Sequence, residues 1–292
     1  MRVIYILLLL GFILAIVVIL STKIFLNKYS FDLEKYHINK IYNMKNYKSK
    51  DTIVISNQRI PRKIHQTFRK NMDAEYYETC MINRNMNYEY DYNFYDDNDI
   101  VQYITINYPQ YMKAYEMIIP YAYKADLFRY LLLYKEGGVY MDCKSSTIFP
   151  LRDFVNSDIG FVSFKDRFDS GIQISFIASV PGHPILKKCI EMSIDNILNK
   201  RYGINGLDIT GPQVCGRAFN SLLKRDELSK IEEKKYKEID AEIIGTFYTI
   251  GKNNFEALCN KEFNPLISRT CSTYGNNKSD YFSRWLIGSV YK

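Results

Sequence analysis

Tryptophan and histidine are scarce in this sequence, with one and three among 292 residues. Its six cysteines (Cys80, Cys143, Cys189, Cys215, Cys259 and Cys271) form no C-x-x-C pair and no zinc spacing, which excludes the common structural zinc modules. They read as small buried thiols, with Cys259–Cys271 as the pair that an oxidising lumen could close. There is no P-loop or other glycine-rich phosphate cradle, so a phosphate-handling membrane protein lacks support. Internal repeats are absent too. Lys and Arg outnumber Asp and Glu by 39 to 32, giving +7, yet the cations form no stripe and no groove-reading motif accompanies them. That pattern excludes nucleic acid as a partner. Lys230–Asp240 (KIEEKKYKEID) mixes both signs and reads as a solvated helix face.

What the chain does have begins at its N-terminus. Val3–Thr22 carries no charge. At about 1.5 Å rise per residue this run crosses the roughly 30 Å of bilayer hydrocarbon. A cleaved signal peptide would need a shorter apolar region and a small-x-small site, so an uncleaved membrane anchor over residues 1–26 is the expectation. Lys23, Lys28, Lys35 and Lys40 follow the run while only Arg2 precedes it, a bias towards a cytosolic main domain. Residues 27–58, rich in Lys, Asn, Tyr and Ser, read as a stem or linker. Residues 59–292, in a chain that is 47% hydrophobic, are enough for one domain with a full core.

Within that domain Arg62–Phe68 (RKIHQTF) predicts a strand, Asp73–Asn85 a helix, Tyr88–Tyr95 a strand, and Asp97 the start of a helix ending before Pro109. Tyr121–Lys135 (YAYKADLFRYLLLYK) has no Gly or Pro and stops at Gly137-Gly138, a natural helix terminus. Val139–Met141 predicts a short strand running into Asp142. Strands at Ile159–Phe164 and Ile172–Ala178 follow, then helices at His183–Leu198 and Pro212–Leu223. This alternation indicates an α/β sheet, in which ligands gather beyond the carboxyl ends of strands, where Asp142 falls. Asp126 and Arg129 stand at i and i+3 and share a helix face. Alone, such a pair reads as a surface ion pair contributing ~0–1 kcal/mol.

The wider pattern changes that reading. Ala125-Asp126-Leu127-Phe128-Arg129-Tyr130-Leu131 followed by Gly137-Gly138-Val139-Tyr140-Met141-Asp142 resembles the signature of glycosyltransferase family 32. Ile60–Phe68, Phe94-Tyr95-Asp96-Asp97, Ala178-Ser179, Gly182-His183-Pro184 and Thr210-Gly211-Pro212 match in the family's order. The resemblance runs from about Ile60 to the C-terminus. It implies a GT-A-like, Rossmann-like nucleotide-sugar domain behind a single N-terminal transmembrane helix. The reaction implied is retaining transfer of a hexose, mannose favoured over glucose or galactose, from a GDP- or UDP-sugar to a glycan, lipid or protein hydroxyl. By resemblance Asp126 and Arg129 contact donor sugar and ribose, and Asp142 is the first metal-binding Asp, for Mn²⁺ or Mg²⁺. Gly138 stands in the same motif, Phe68 falls where an aromatic stacks on the base, and Ser283 with Trp285 falls where an aromatic segment covers the diphosphate. The family also places this catalytic domain in an endomembrane lumen, against the charge bias.

One position departs from the pattern. Where a second carboxylate should end the D-x-D motif, the chain reads Asp142-Cys143-Lys144. Two readings stand: the Lys144 ammonium partly replaces the metal at the diphosphate, or Lys144 points to solvent and Asp142 binds metal with C-terminal oxygen donors. Lys144 also keeps open an alternative from another class, a sugar- or nucleotide-binding pseudoenzyme or scaffold. Gln173-Ile174-Ser175 does not supply the sugar-contacting Asn of relatives, leaving donor contacts from this strand in doubt. Cys143, His65 and His183 read as structural.

Overall fold

The computed structural model describes residues 58–155, 158–250, 255–259, 265–269 and 280–292. The uncharged run Val3–Thr22, the stem stretch before residue 58 and Cys271 lie outside them. Among the described residues no helix is long and apolar enough to cross a membrane.

The domain is a mixed α/β structure around one sheet. In chain order the elements that matter are β1 (Lys63–Thr67), α1 (Ala74–Met86), β2 (Asp91–Tyr95), α2 (Asp97–Asn107), α3 (Met112–Met117), α4 (Tyr121–Glu136), β3 (Gly138–Met141), β4 (Ser145–Thr147), β5 (Phe161–Lys165) and β6 (Ile172–Ser179). After these come α5 (Pro184–Leu198), α6 (Pro212–Leu222), β7 (Lys235–Tyr236), β8 (Ala241–Ile250), β9 (Phe255–Cys259), β10 (Pro265–Arg269) and α7 (Asp280–Leu286). The strand order is β2-β1-β3-β6-β5-β8-β9-β10-β4, with β7 added beside β8. β1 runs parallel to both β2 and β3, whereas β6 is antiparallel to its neighbours β3 and β5. Beyond the parallel β5–β8 pair, β8, β9, β10 and β4 form an antiparallel meander.

This topology has a geometric consequence. β3 is third in the sheet and β4 last, yet only Asp142, Cys143 and Lys144 separate them in the chain. Since each residue spans at most about 3.6 Å, the sheet must curl until its far edge returns beside β3. The three-residue connection is a tight turn, with Ser145 N donating to Asp142 O at 2.9 Å.

Local chemistry explains the elements nearest that turn. α4 keeps Leu127, Phe128 and Tyr130–Leu133 buried, so it is covered nearly all round. It ends at Gly137, φ 62°, where a Cβ would stand 2.6 Å from Pro181 Cδ. Gly138, φ 100°, is pressed as closely, since its Cβ would fall 2.6 Å from Lys63 O. α2 is opened by a capping box: Asp96 Oδ1 accepts from Asn98 and Asp99 N–H, and Asp99 Oδ2 accepts from Asp96 N–H. Every residue of β6 is buried, as suits a central strand covered on both faces.

Two expectations need correction. Lys230–Asp240 is not a helix: it holds β7 and a 3₁₀ turn at Lys237–Ile239. Edge pairing of Lys235 with Glu242 and Tyr236 with Ala241, with Ile231 and Tyr236 buried, outweighs the charge pattern. The meander β8–β10 has no counterpart among the expected elements.

Candidate active site

α4 and β3 run into one another through Gly137, and that short connection brings Arg129 and Asp142 together. Arg129 Nη2 pairs with Asp126 Oδ1 at 2.8 Å and Nη1 with Asp142 Oδ1 at 3.2 Å. Nη1 also donates to Ile174 O at 2.6 Å, and the guanidinium lies 4.5 Å over the Tyr140 ring. Thr210 Oγ1 donates to Asp126 Oδ2 at 3.2 Å. These three charged side chains line a cavity of about 240 Å³, together with Phe68, Lys144 and Tyr281. They are far from surface ion pairs: the Arg129, Asp126 and Asp142 side chains are 6%, 14% and 21% exposed.

Burial sets the electrostatics. It pushes the Asp126 carboxyl up to about 6, and nearby Asp142 adds to that, while Arg129 and the Thr210 hydrogen bond act against it. Burial alone would lower the Arg129 guanidinium, but Tyr140, Asp126 and Asp142 more than offset this and its pKa is raised. Lys144 is close enough to favour the ionised form of Asp126. Two acids therefore share one guanidinium in a dry wall, with an ammonium across the same cavity.

The motif turn is held through its backbone. Asp142 N–H donates to Ser175 O at 2.9 Å, and Gln66 Nε2 donates to Asp142 O at 3.3 Å. Gln66 is itself fixed by Tyr92, whose hydroxyl donates to Oε1 at 2.7 Å. On the other side Gln173 is anchored by Asp166 Oδ2 and accepts from Ser175 N–H, both at 3.1 Å. Gln173, Ile174 and Ser175 all line the cavity. Main-chain carbonyls of Ile174 and Ser175 hold Arg129 and the Asp142 amide, a contribution of β6 that no side-chain motif records. Tyr92 and Tyr281 escaped sequence reasoning; Gln66, Tyr140 and Thr210 lay within matched motifs without an assigned role, and Gln173 entered only where relatives carry an Asn.

Asp126, Arg129, Asp142, Lys144 and Phe68 are brought together around the cavity; Gly138, Ser283 and Trp285 are not among its lining residues. Gly138 permits close strand packing instead. Trp285 lies one turn beyond Tyr281 on α7, donating Nε1–H to Tyr202 O at 2.8 Å, so Tyr281 is the aromatic at the cavity. Phe68 packs on Tyr76 with ring centroids 4.7 Å apart, and the Arg69 guanidinium lies 5.5 Å from the Phe68 ring. Cys143 donates to Thr67 O at 3.4 Å, and burial pushes its thiol up, away from nucleophilic character. His65 is buried, bonded to Gly137 O at 3.0 Å and lowered to about 4 by that burial, so it stays neutral. His183 caps α5, its Nδ1 accepting from Ile185 N–H at 3.2 Å.

Among the described residues the side chains at the cavity do not make up a divalent-cation site. Asp126 is committed to Arg129 and Thr210, Asp142 shares the same guanidinium, and Lys144 holds the place of a second carboxylate. Among the described residues no three His, Cys, Asp or Glu side chains converge on a common point. The positive charge facing the cavity comes from Arg129 and Lys144.

Residues 44–160 match the family model described as "Glycosyltransferase sugar-binding region containing DXD motif". Inositol phosphoceramide mannosyltransferase 3 of Schizosaccharomyces pombe is 26% identical over 58% of this chain and 44% of its own length. The initiation-specific alpha-1,6-mannosyltransferase of Candida albicans is 24% identical over 60% of this chain and 57% of its own. An uncharacterized glycosyltransferase of Acanthamoeba polyphaga mimivirus is 29% identical over 43% and 52%. The chain spans about half the length of these curated relatives. Among solved structures, the PaToxG glycosyltransferase superposes with a TM-score of 0.43 at 18% identity, over 56% of this chain and 70% of that one.

Proposed function

We propose that this chain, whose residues 44–160 match a glycosyltransferase sugar-binding region containing a DXD motif, moves a hexose from a nucleotide sugar to an acceptor hydroxyl with retention. Mannose is the favoured sugar, since several relatives are named mannosyltransferases. The carrying observation is the convergence of Asp126, Arg129 and Asp142 on one cavity. In this reading the fold is of GT-A type, residues 1–26 anchor the chain, residues 27–58 form a stem, and the catalytic domain faces an endomembrane lumen. The acceptor is a hydroxyl of a glycan, lipid or protein.

The residues divide the work as follows. Phe68 stacks on the base, and the ionised Asp126 accepts from sugar and ribose hydroxyls. As the anomeric C–O bond breaks, negative charge grows on the departing diphosphate, and Arg129 and Lys144 stabilise it there. The acceptor oxygen bonds the anomeric carbon on the same face, and its proton passes to the leaving diphosphate oxygen. Asp142 holds Arg129 in place at the wall of the cavity. Lys144 does for the diphosphate what a cation does elsewhere.

Incubation of the full chain with GDP- and UDP-hexoses, followed by measurement of free nucleotide, tests this. Nucleotide release that survives EDTA and disappears in Asp142→Asn is the expected outcome. No release from any donor by the folded wild-type chain would refute transferase activity. Release that needs Mn²⁺ and is indifferent to Lys144→Ala would remove Lys144 from the mechanism.

A further inference from the structure

Exposed large apolar side chains are scattered over most of the described surface, but five of them gather at one corner. Tyr121 is 67% exposed, Ile204 65%, Phe282 42%, Leu286 58% and Ile287 76%. Contacts tie the corner together. Phe282 and Trp285 stack at 6.2 Å on α7, and both face Gly206 in the loop that carries Ile204. Trp285 Nε1 bonds Tyr202 O in that same loop. Tyr281 meets Tyr123 edge to face at 5.4 Å, and the tail after Ile287 runs along Ile118–Ile119, with Ile119 N–H donating to Val290 O at 2.9 Å.

The patch mixes aliphatic side chains (Ile204, Leu286, Ile287) with aromatic ones (Tyr121, Phe282 and the stacked Trp285). It is also edged by cations. Lys124 lies 5.5 Å from the Tyr121 ring, Lys200 Nζ donates to Lys292 O at 2.8 Å, and Arg201 follows Lys200, paired with Asp195. Leu, Ile, Phe and Trp side chains flanked by Lys and Arg are the composition of a surface that enters the headgroup–acyl boundary of an anionic bilayer. The patch adjoins the cavity, because Tyr281, Tyr123 and Leu207 line the cavity and neighbour Phe282, Tyr121 and Gly206 in sequence.

We propose that this corner of the catalytic domain, α7 with Tyr121 and Ile204, seats in the interface of an anionic lipid bilayer, so that the cavity opens at the membrane surface. The occupant is the bilayer itself, over and above whatever holds the N-terminus. A lipid-borne hydroxyl would then meet the cavity without leaving the membrane.

The chain's single tryptophan, Trp285, reports this directly. The full chain is reconstituted in vesicles of phosphatidylcholine and phosphatidylserine whose acyl chains carry bromine near the headgroup end. Trp285 emission is expected to fall by about half relative to unbrominated vesicles, and the loss is expected to shrink at least threefold in the Leu286→Glu/Ile287→Glu variant. Nucleotide binding by that variant, unchanged from wild type, certifies its fold. If that double variant does not fold, Ile287→Ser, which only removes apolar surface, takes its place with the same expected direction. Equal emission in brominated and plain vesicles for the wild type overturns the proposal. So does cross-linking of two chains through Ile287→Cys with Trp285 unquenched, which assigns the face to a second copy.

Discussion

Arg129 with Asp126 and Asp142, and Arg217 with Asp208, are both arginine–aspartate groupings sunk beside helices of the same domain. In the second, Asp208 is 1% exposed on its side chain, pairs with Arg217 and accepts the Ile204 amide at 2.9 Å. Its main-chain carbonyl accepts from Asn196 at 3.2 Å. The pair ties the 203–208 loop to α6. Burial raises the acid in both groupings. What differs is the company. Arg217 pairs with buried Asp208 and, at 3.9 Å, with half-exposed Glu227, whereas Arg129 is shared between two largely buried carboxylates, and Asp142 and Lys144 line a cavity. A grouping away from that cavity holds a loop. A guanidinium shared between two acids at a cavity wall is arranged for a ligand's charge as well as for the fold.

The comparison breaks or sharpens under substitution. The largest effect is expected for Arg129→Ala, which leaves two carboxylates facing each other. Donor turnover should fall on the order of 10³-fold in kcat/KM, with stability down by about 3 kcal/mol in denaturant titration. Arg217→Ala should cost a similar ~3–5 kcal/mol of stability by orphaning Asp208, yet change kcat/KM by no more than about threefold. Equal losses of activity in the two variants would erase the distinction.

Asp126 provides the next test. Burial holds its folded pKa at about 6, above the usual carboxylate range near 4. A raised folded value means that this group's stabilising contribution is full below about pH 4 and lost as pH climbs through 6. At neutral pH the ionised carboxylate therefore costs roughly 3 kcal/mol, a strain kept for binding. Donor kcat/KM should drop about tenfold from pH 7 to pH 5. Asp126→Asn should melt no lower than wild type at pH 7 while binding donor at least tenfold more weakly. The smallest effect is expected for Phe68→Ala, outside the charged cluster: about fivefold in donor KM, or ~1 kcal/mol of stacking, with kcat kept.

Legibility in the sequence followed the range of the interactions. α4, its Gly137 terminus and β3 are local events, so the Asp126–Arg129–Asp142 grouping could be placed by spacing and motif order. β4 pairs with β10 across 122 residues, between Ser146 and Ser268, and nothing near either segment announces the partner. Lys230–Asp240 misled for a different reason: its partner β8 begins at the next residue, and the left-handed turn at Asp240 folds Lys235-Tyr236 back onto Ala241-Glu242, a local hairpin that the charge alternation does not record. The roles of Ile174 and Ser175 are carried by carbonyl oxygens that any residue possesses. The aromatic segment expected at Ser283 and Trp285 forms α7, and Tyr281, one turn before Trp285, is its residue at the cavity wall.

The turn at Asp142-Cys143-Lys144 is, in architectural terms, a clasp: its backbone joins the third strand of the sheet to the last and is fastened by Ser175 and Gln66 whatever its side chains are. A segment immobilised through its peptide groups can exchange a side chain without losing its geometry. The swap of an acid for Lys144 could therefore alter the chemistry of recognition in a single step, leaving the scaffold beneath it untouched.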